Sequence, residues 1–148
     1  MKIAELLTPD RVVAGFQAGD KAQLLRELSR RAAVRLELPP PAILHALQAR
    51  EKLGSTGLGR GFALPHASVD GLGALAGFFM QLRRAIDFQA IDEQPVDLVF
   101  LLLIPNAAAG ERIAALAAIS RKFREEAFVA CLRKTNAAPT LYDLLVAD

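Results

Sequence analysis

The segment Val96-Asp-Leu-Val-Phe-Leu-Leu-Leu-Ile104 constrains the chain more than any other. It is too short to cross a bilayer and carries Asp97, so it belongs inside a globular protein. Its residues do not alternate apolar and polar, as a strand with one wet face would. A near-continuous apolar run predicts a central strand covered on both sides. Layers of helix on both faces of one sheet then follow as the simplest architecture.

The rest of the chain supplies the parts for such a fold. Arg11–Phe16 and Leu75–Leu82 read as further strands, and Phe62–His66 as a short one that closes near Pro65. Asp20 has the character of a helix N-cap with Gln23 as its box partner, and Leu25, Leu28, Ala32 and Leu36 share one face of the helix that follows. A second helix is predicted over Pro41–Lys52, where proline suits the first turn. Ile43, Ala46 and Leu47 form its apolar stripe, and Arg50, at i+7 from Ile43, extends that stripe toward the body of the protein. Late helices are expected over Gly110–Arg124, with Ile113, Leu116, Ala117 and Ser120 inward, over Glu126–Lys134, and over Pro139–Val146, with Leu141, Leu144 and Leu145 inward. The fold class is therefore α/β, a mixed β-sheet flanked by helices on both faces. With 148 residues and no internal linker, one domain over 1–148 is expected.

Composition excludes several functions. The 18 basic and 16 acidic residues leave a net charge of only +2. Arg30-Arg31 and Arg121-Lys122 with Arg124 are the densest basic clusters, and they read as solvated helix faces. Neither nucleic acid nor membrane insertion is expected. The one cysteine, Cys131, fits a buried position on its helix and points to a reducing, cytoplasmic setting, and the opening residues lack the apolar core of a signal peptide. Two histidines are too few for an ordinary metal site, so no metal or other cofactor is expected.

Gly54-Ser-Thr-Gly-Leu-Gly-Arg-Gly61 must be a loop. Gly54 and Gly59 have phosphate-loop spacing, but Arg60-Gly61 replaces Lys-Ser/Thr, and a helix precedes the loop where a strand should. A phosphate-loop nucleotide site is not expected, and a dinucleotide-binding fingerprint fails for the same topological reason. Glycine backbone can still approach an anion closely, with Ser55 and Thr56 adding hydroxyls, and a loop that merely needs left-handed backbone explains the glycines equally well. His66 follows at once, its backbone fixed by Pro65. A neutral imidazole is a nucleophile at physiological pH, although a half-buried structural histidine fits the same position. His45 lies off its helix stripe and reads as an exposed polar residue. Arg50, near a helix C-terminus, can grip two phosphoryl oxygens, the alternative being an ion pair with Glu51 or Asp92.

Arg50 through His66 resembles the phosphorylation segment of the mannitol/fructose-type enzyme IIA family of the bacterial phosphotransferase system. In that pattern an acidic or amide residue is followed, after six others, by an aliphatic and a small residue. Two more residues and an aliphatic-Ala-aliphatic-Pro-His-small run complete it. Glu51, Leu58, Gly59, Ala63, Leu64, Pro65, His66 and Ala67 fit, and Phe62 replaces an aliphatic. Ala85 through Phe100 also resembles the family, above all its nitrogen-related branch, and the likeness extends along nearly the whole chain. It implies a phosphocarrier that accepts a phosphoryl group on His66 from a histidine phosphocarrier protein and then passes it on or signals by its phosphorylation state. Arg50 matches the arginine near that histidine. Ser55, Thr56, Gly57, Gly59 and Gly61 become candidates for holding the phosphoryl oxygens. Members often carry a second histidine at the start of the helix after the central strand. Here Arg112 stands in its place, either toward phosphate or a partner, or paired with Glu111 on the surface. A lone domain favours the nitrogen-type regulator, whose downstream target protein is unknown. A sugar-specific component and an unphosphorylated docking module are the alternatives.

Overall fold

The central strand forms where its hydropathy places it. The computed structural model describes residues 1–147. Its six strands are β1 (Val12–Phe16), β2 (Gly57–Gly59), β3 (Phe62–Ala63), β4 (His66–Val69), β5 (Ala76–Ile86) and β6 (Val96–Pro105). They form one sheet in the order β1-β5-β6-β3-β2, with β4 also beside β6. The β5–β6 pair and the β2–β3 pair are antiparallel, whereas β1 runs parallel to β5, and β3 and β4 run parallel to β6. The sheet is therefore mixed, with β6 as its spine.

Alternate side chains of β6 enter two separate cores. Val99, Leu101 and Leu103 face α1 (Lys21–Leu36) and α2 (Pro40–Lys52). Leu98, Phe100, Leu102 and Ile104 face α3 (Ala109–Lys122), α4 (Glu126–Lys134) and α5 (Ala138–Val146). All seven are at most 1% exposed, which is why the strand needs apolar residues at every step.

Local sequence sets the helix ends. Asp20 accepts from the backbone N–H of Gln23 at 2.8 Å. The Gln23 side chain turns back to the N–H of Gly19, one residue outside the usual box position. Pro40 occupies the first turn of α2, where a missing N–H costs nothing.

Four expectations change. The strand predicted over Phe62–His66 breaks at Leu64-Pro65 and resumes as β4, because proline has no N–H to give the ladder, so His66 opens a strand instead of closing one. Part of the glycine loop, Gly57–Gly59, forms the short strand β2. In α3 the inward residues are Ala115 and Ile119, with Ile113 72% exposed and Ala117 also exposed. Leu116, also predicted inward, packs partly buried against the same core, and the stripe as a whole is centred one residue back, about 100° around the axis. In α4 Val129 and Leu132 face the core, and Cys131, one position around the helix, is exposed and not buried. His45 is exposed, as its position on α2 required.

Candidate functional site

His66 is placed by the proline break. Its register partner is Leu102, and the N–H of Leu102 donates to the carbonyl of Pro65 at 3.0 Å, holding the turn against β6. The ring is half-buried. Its Nδ1 lies 2.8 Å from the carbonyl oxygen of Leu64. A carbonyl can only accept, so Nδ1 carries the proton in this contact and the lone pair of the neutral ring sits on Nε2.

The electrostatics keep that ring neutral. Burial pushes the His66 pKa below its ordinary 6.5, and the charges of Arg50 and Arg112 push the same way. The Leu64 hydrogen bond and the Glu51 carboxylate oppose them without reversing the direction. Arg50 and Arg112, distant in sequence, therefore converge on one imidazole.

Arg50 stands at the last turn of α2, where a cation complements the helix dipole. Its Nη1 donates to the carbonyl of Gly54 at 2.9 Å, and among the described residues it forms no ion pair with Glu51 or Asp92. Both carboxylates are engaged elsewhere. Glu51 accepts from Lys21 Nζ at 2.9 Å and from the Thr56 N–H at 3.1 Å and hydroxyl at 2.5 Å. Asp92 accepts from the Arg60 N–H at 2.9 Å. Arg112 forms no ion pair with Glu111 among the described residues.

The glycine loop divides into two halves. The near half borders His66, since the carbonyl of Thr56 accepts from the N–H of Leu64 at 2.9 Å. Its two hydroxyls are committed: Ser55 donates to the Phe88 carbonyl at 2.9 Å, and Thr56, 2% exposed, serves Glu51. They brace the loop. Gly57 fits there because an added Cβ would meet Ala90. The far half turns away. Gly61 accepts at its carbonyl from the N–H groups of Asp97 and Leu98, at the opposite end of β6 from Leu102. Four residues along a strand is about 13 Å. Gly59 (φ +105°) and Gly61 (φ +79°) have left-handed backbone and face the carboxylates of Asp92 and Asp97. Gly59 and Gly61 border the β2–β3 turn, and beside Gly61 the Asp97 carboxylate is paired with Arg133 at 2.9 Å.

Two residues that sequence reasoning passed over hold this frame. Lys21 reaches Glu51 from the first turn of α1, lying 4.4 Å from the centre of the Phe88 ring. Gln81, 8% exposed, donates to the carbonyls of Leu132 and Thr135 and accepts from the N–H of Gly15. The one available hint for Gln81 was a polar residue inside an apolar strand.

The fold is that of mannitol-type IIA proteins. It superposes on IIA mannitol from Escherichia coli with a TM-score of 0.78 at 23% identity, over 94% of this chain and 98% of that one. A likeness at that identity speaks for the fold alone. A family model described as "Phosphoenolpyruvate-dependent sugar phosphotransferase system, EIIA 2" matches residues 5–147, and the chain belongs to this family. A protein named nitrogen regulatory protein from Bradyrhizobium diazoefficiens is 39% identical over 145 residues, which is 98% of this chain and 95% of that protein. The crystal structure of nitrogen regulatory protein IIA-Ntr from Neisseria meningitidis superposes with a TM-score of 0.91 at 34% identity, covering 97% of this chain and 98% of that one.

Proposed function

We propose that this domain is a phosphocarrier that accepts a phosphoryl group on Nε2 of His66 from a phosphorylated histidine phosphocarrier protein. The observation that carries this is the Nδ1–H contact to the Leu64 carbonyl, which leaves Nε2 as the nucleophilic nitrogen of a ring kept neutral by burial. The Nε2 lone pair attacks phosphorus, a new N–P bond forms, and the donor's N–P bond breaks with its electron pair returning to the donor imidazole. The Nδ1 proton stays where it is, so no general base is required. Such transfers run through a loose transition state and are helped mainly by positioning and positive charge. Arg50 supplies a guanidinium that can hold two phosphoryl oxygens, and Arg112 adds a second charge where related proteins often have a second histidine.

Two exposed apolar residues next in sequence to these groups are available to a docking partner protein. Leu53 is 84% exposed beside Gly54, and Ile113 is 72% exposed beside Arg112. No helix among the described residues is long and apolar enough to cross a membrane. The nitrogen regulatory relatives support a signalling role, in which the phosphorylation state of His66 sets which partner is bound.

The test is intact mass after incubation with phosphoenolpyruvate, enzyme I and a histidine phosphocarrier, with His66→Ala alongside. One acid-labile phosphoryl group, absent from the variant, is the expected outcome. No gain in mass from any phosphocarrier tried overturns the reading and leaves a module that regulates by docking alone.

A further inference from the structure

A second site lies at the other edge of the sheet. β5 and β6 separate β1 from β4, so nothing there touches His66. Between α1 and the β1 edge is a cavity of about 280 Å³. Its floor is apolar, made by Val13, Leu28, Phe78 and Met80, and Val34, 65% exposed, also lines it from α1.

The wall contradicts the floor. Arg11, Arg30, Arg31 and Arg35 all line the cavity, with Asp10 the one carboxylate on its wall. A helix face turned toward a sheet normally ends in apolar residues. The carboxylates near these arginines are Asp10 and Glu27. Glu27 is shared, accepting from Arg30 at 3.0 and 2.6 Å and from Nε of Arg31 at 2.8 Å. Arg35 Nε is 3.6 Å from Asp10. Arg11 makes one hydrogen bond, from Nη1 to the Leu6 carbonyl at 3.4 Å, and its charge also acts on the Asp10 carboxylate. Four cations against two anions leave a local excess of two positive charges.

The unmatched groups are also held in place. The Arg11 guanidinium lies 5.2 Å from the centre of the Phe78 ring, and that of Arg31 lies 5.4 Å from the Phe16 ring. Stacking fixes a guanidinium plane while leaving its edge N–H donors open. The terminal nitrogens of Arg31 have no hydrogen-bond partner among the described residues. Preorganised donors beside an apolar floor are the ingredients of a small-molecule site. Two excess charges match a phosphate monoester dianion better than a carboxylate, and a concave pocket suits a compact ligand better than a protein surface.

We propose that this cavity binds a small phosphorylated molecule with a flat apolar body, an aryl or nucleoside phosphate, with its phosphate on Arg11 and Arg31 and its body on Val13, Phe78 and Met80. The site is independent of phosphorylation at His66.

The experiment is a methyl NMR titration of the whole chain with phenyl phosphate, adenosine monophosphate and inorganic phosphate. Both organic phosphates should saturate shifts at Val13, Leu28, Val34 and Met80, with inorganic phosphate at least about ten-fold weaker. Arg31→Met, which keeps the stem, and Val34→Glu, at an exposed position, should each weaken the organic ligands by about ten-fold or more while thermal melting stays near that of the parent. The proposal is overturned if neither organic phosphate saturates by about 10 mM. It is equally overturned if inorganic phosphate binds as tightly, if both variants bind normally, or if an oligoglutamate peptide binds the same residues more tightly than either.

Discussion

The Leu64 carbonyl accepts a hydrogen bond from Nδ1 of His66 and leaves the Nε2 lone pair open, while burial, with Arg50 and Arg112, lowers the pKa of the ring. Because burial, Arg50 and Arg112 hold the imidazole pKa below 6.5, the nucleophilic neutral form persists as the pH falls past 6.5. Phosphoryl acceptance should therefore stay level from pH 8 to about 6.5 and decline only below it. Arg50→Gln and Arg112→Gln should each raise the His66 pKa, the first more than the second, as read from the Cε1 proton in an NMR titration. The same shift affects stability. The unfolded chain binds a proton at His66 more readily than the folded one, so the stability present above pH 6.5 is partly lost as pH falls through the window below it. Arg50→Ala has a second effect, the loss of a charge-assisted contact to the phosphoryl group. Such contacts contribute about 1.5–3 kcal/mol, so phosphorylation should slow by roughly ten- to a hundred-fold with the fold intact. Arg50→Lys keeps the charge without the fork and should fall between. An unchanged rate in Arg50→Ala would remove that residue from the site.

At the scale of elements, two polar side chains join pieces that hydrophobic packing alone would leave loose. Gln81 ties the end of α4 to the bulge at Gly15 in β1. Gln81→Leu should cost roughly 1–3 kcal/mol by leaving those backbone groups unpaired, seen as a lower urea midpoint, with His66 phosphorylation unchanged. Lys21 ties α1 to α2 through Glu51, and their side chains are only 15% and 8% exposed. Lys21→Met leaves a buried carboxylate without its cation and should cost about 3 kcal/mol, with the Lys21→Met/Glu51→Gln pair recovering part of the loss. These ties also mark what the sequence could disclose. The apolar run of β6, the N-cap of α1 and the motif through His66 rest on local spacing, and all three were legible. The pairing of Glu51 with Lys21, the second half of the glycine loop and the inward face of α3 depend on contacts between distant segments. Gly59 and Gly61 look the same in sequence whether they cradle an anion or turn a hairpin. Asp92 beside Gly59, and Asp97 with Arg133 beside Gly61, are brought there only by the fold.

For the whole molecule, β6 places four buried residues in each core, and that should make the two layers unfold as one cooperative unit. Leu101 enters the layer under α1 and α2, and Leu102 enters the layer under α3, α4 and α5. Both are completely buried. Truncating either to alanine should cost about 2–5 kcal/mol, which for a chain of this length lowers the melting temperature by roughly 10 °C. The informative comparison is where the loss is felt. The chain has one tyrosine and no tryptophan, and Tyr142 sits in α5 against the second layer. If β6 couples the layers, Leu101→Ala should lower the unfolding midpoint reported by Tyr142 fluorescence as far as the midpoint reported by far-ultraviolet circular dichroism, although the cavity lies on the other face of the sheet. Coincident midpoints are the mark of two-state unfolding. A Tyr142 transition that stays at the parent temperature while the circular dichroism midpoint drops would mean that the helical layers melt separately. In that case β6 would not be the spine through which the two faces hold His66 and Arg50 in register.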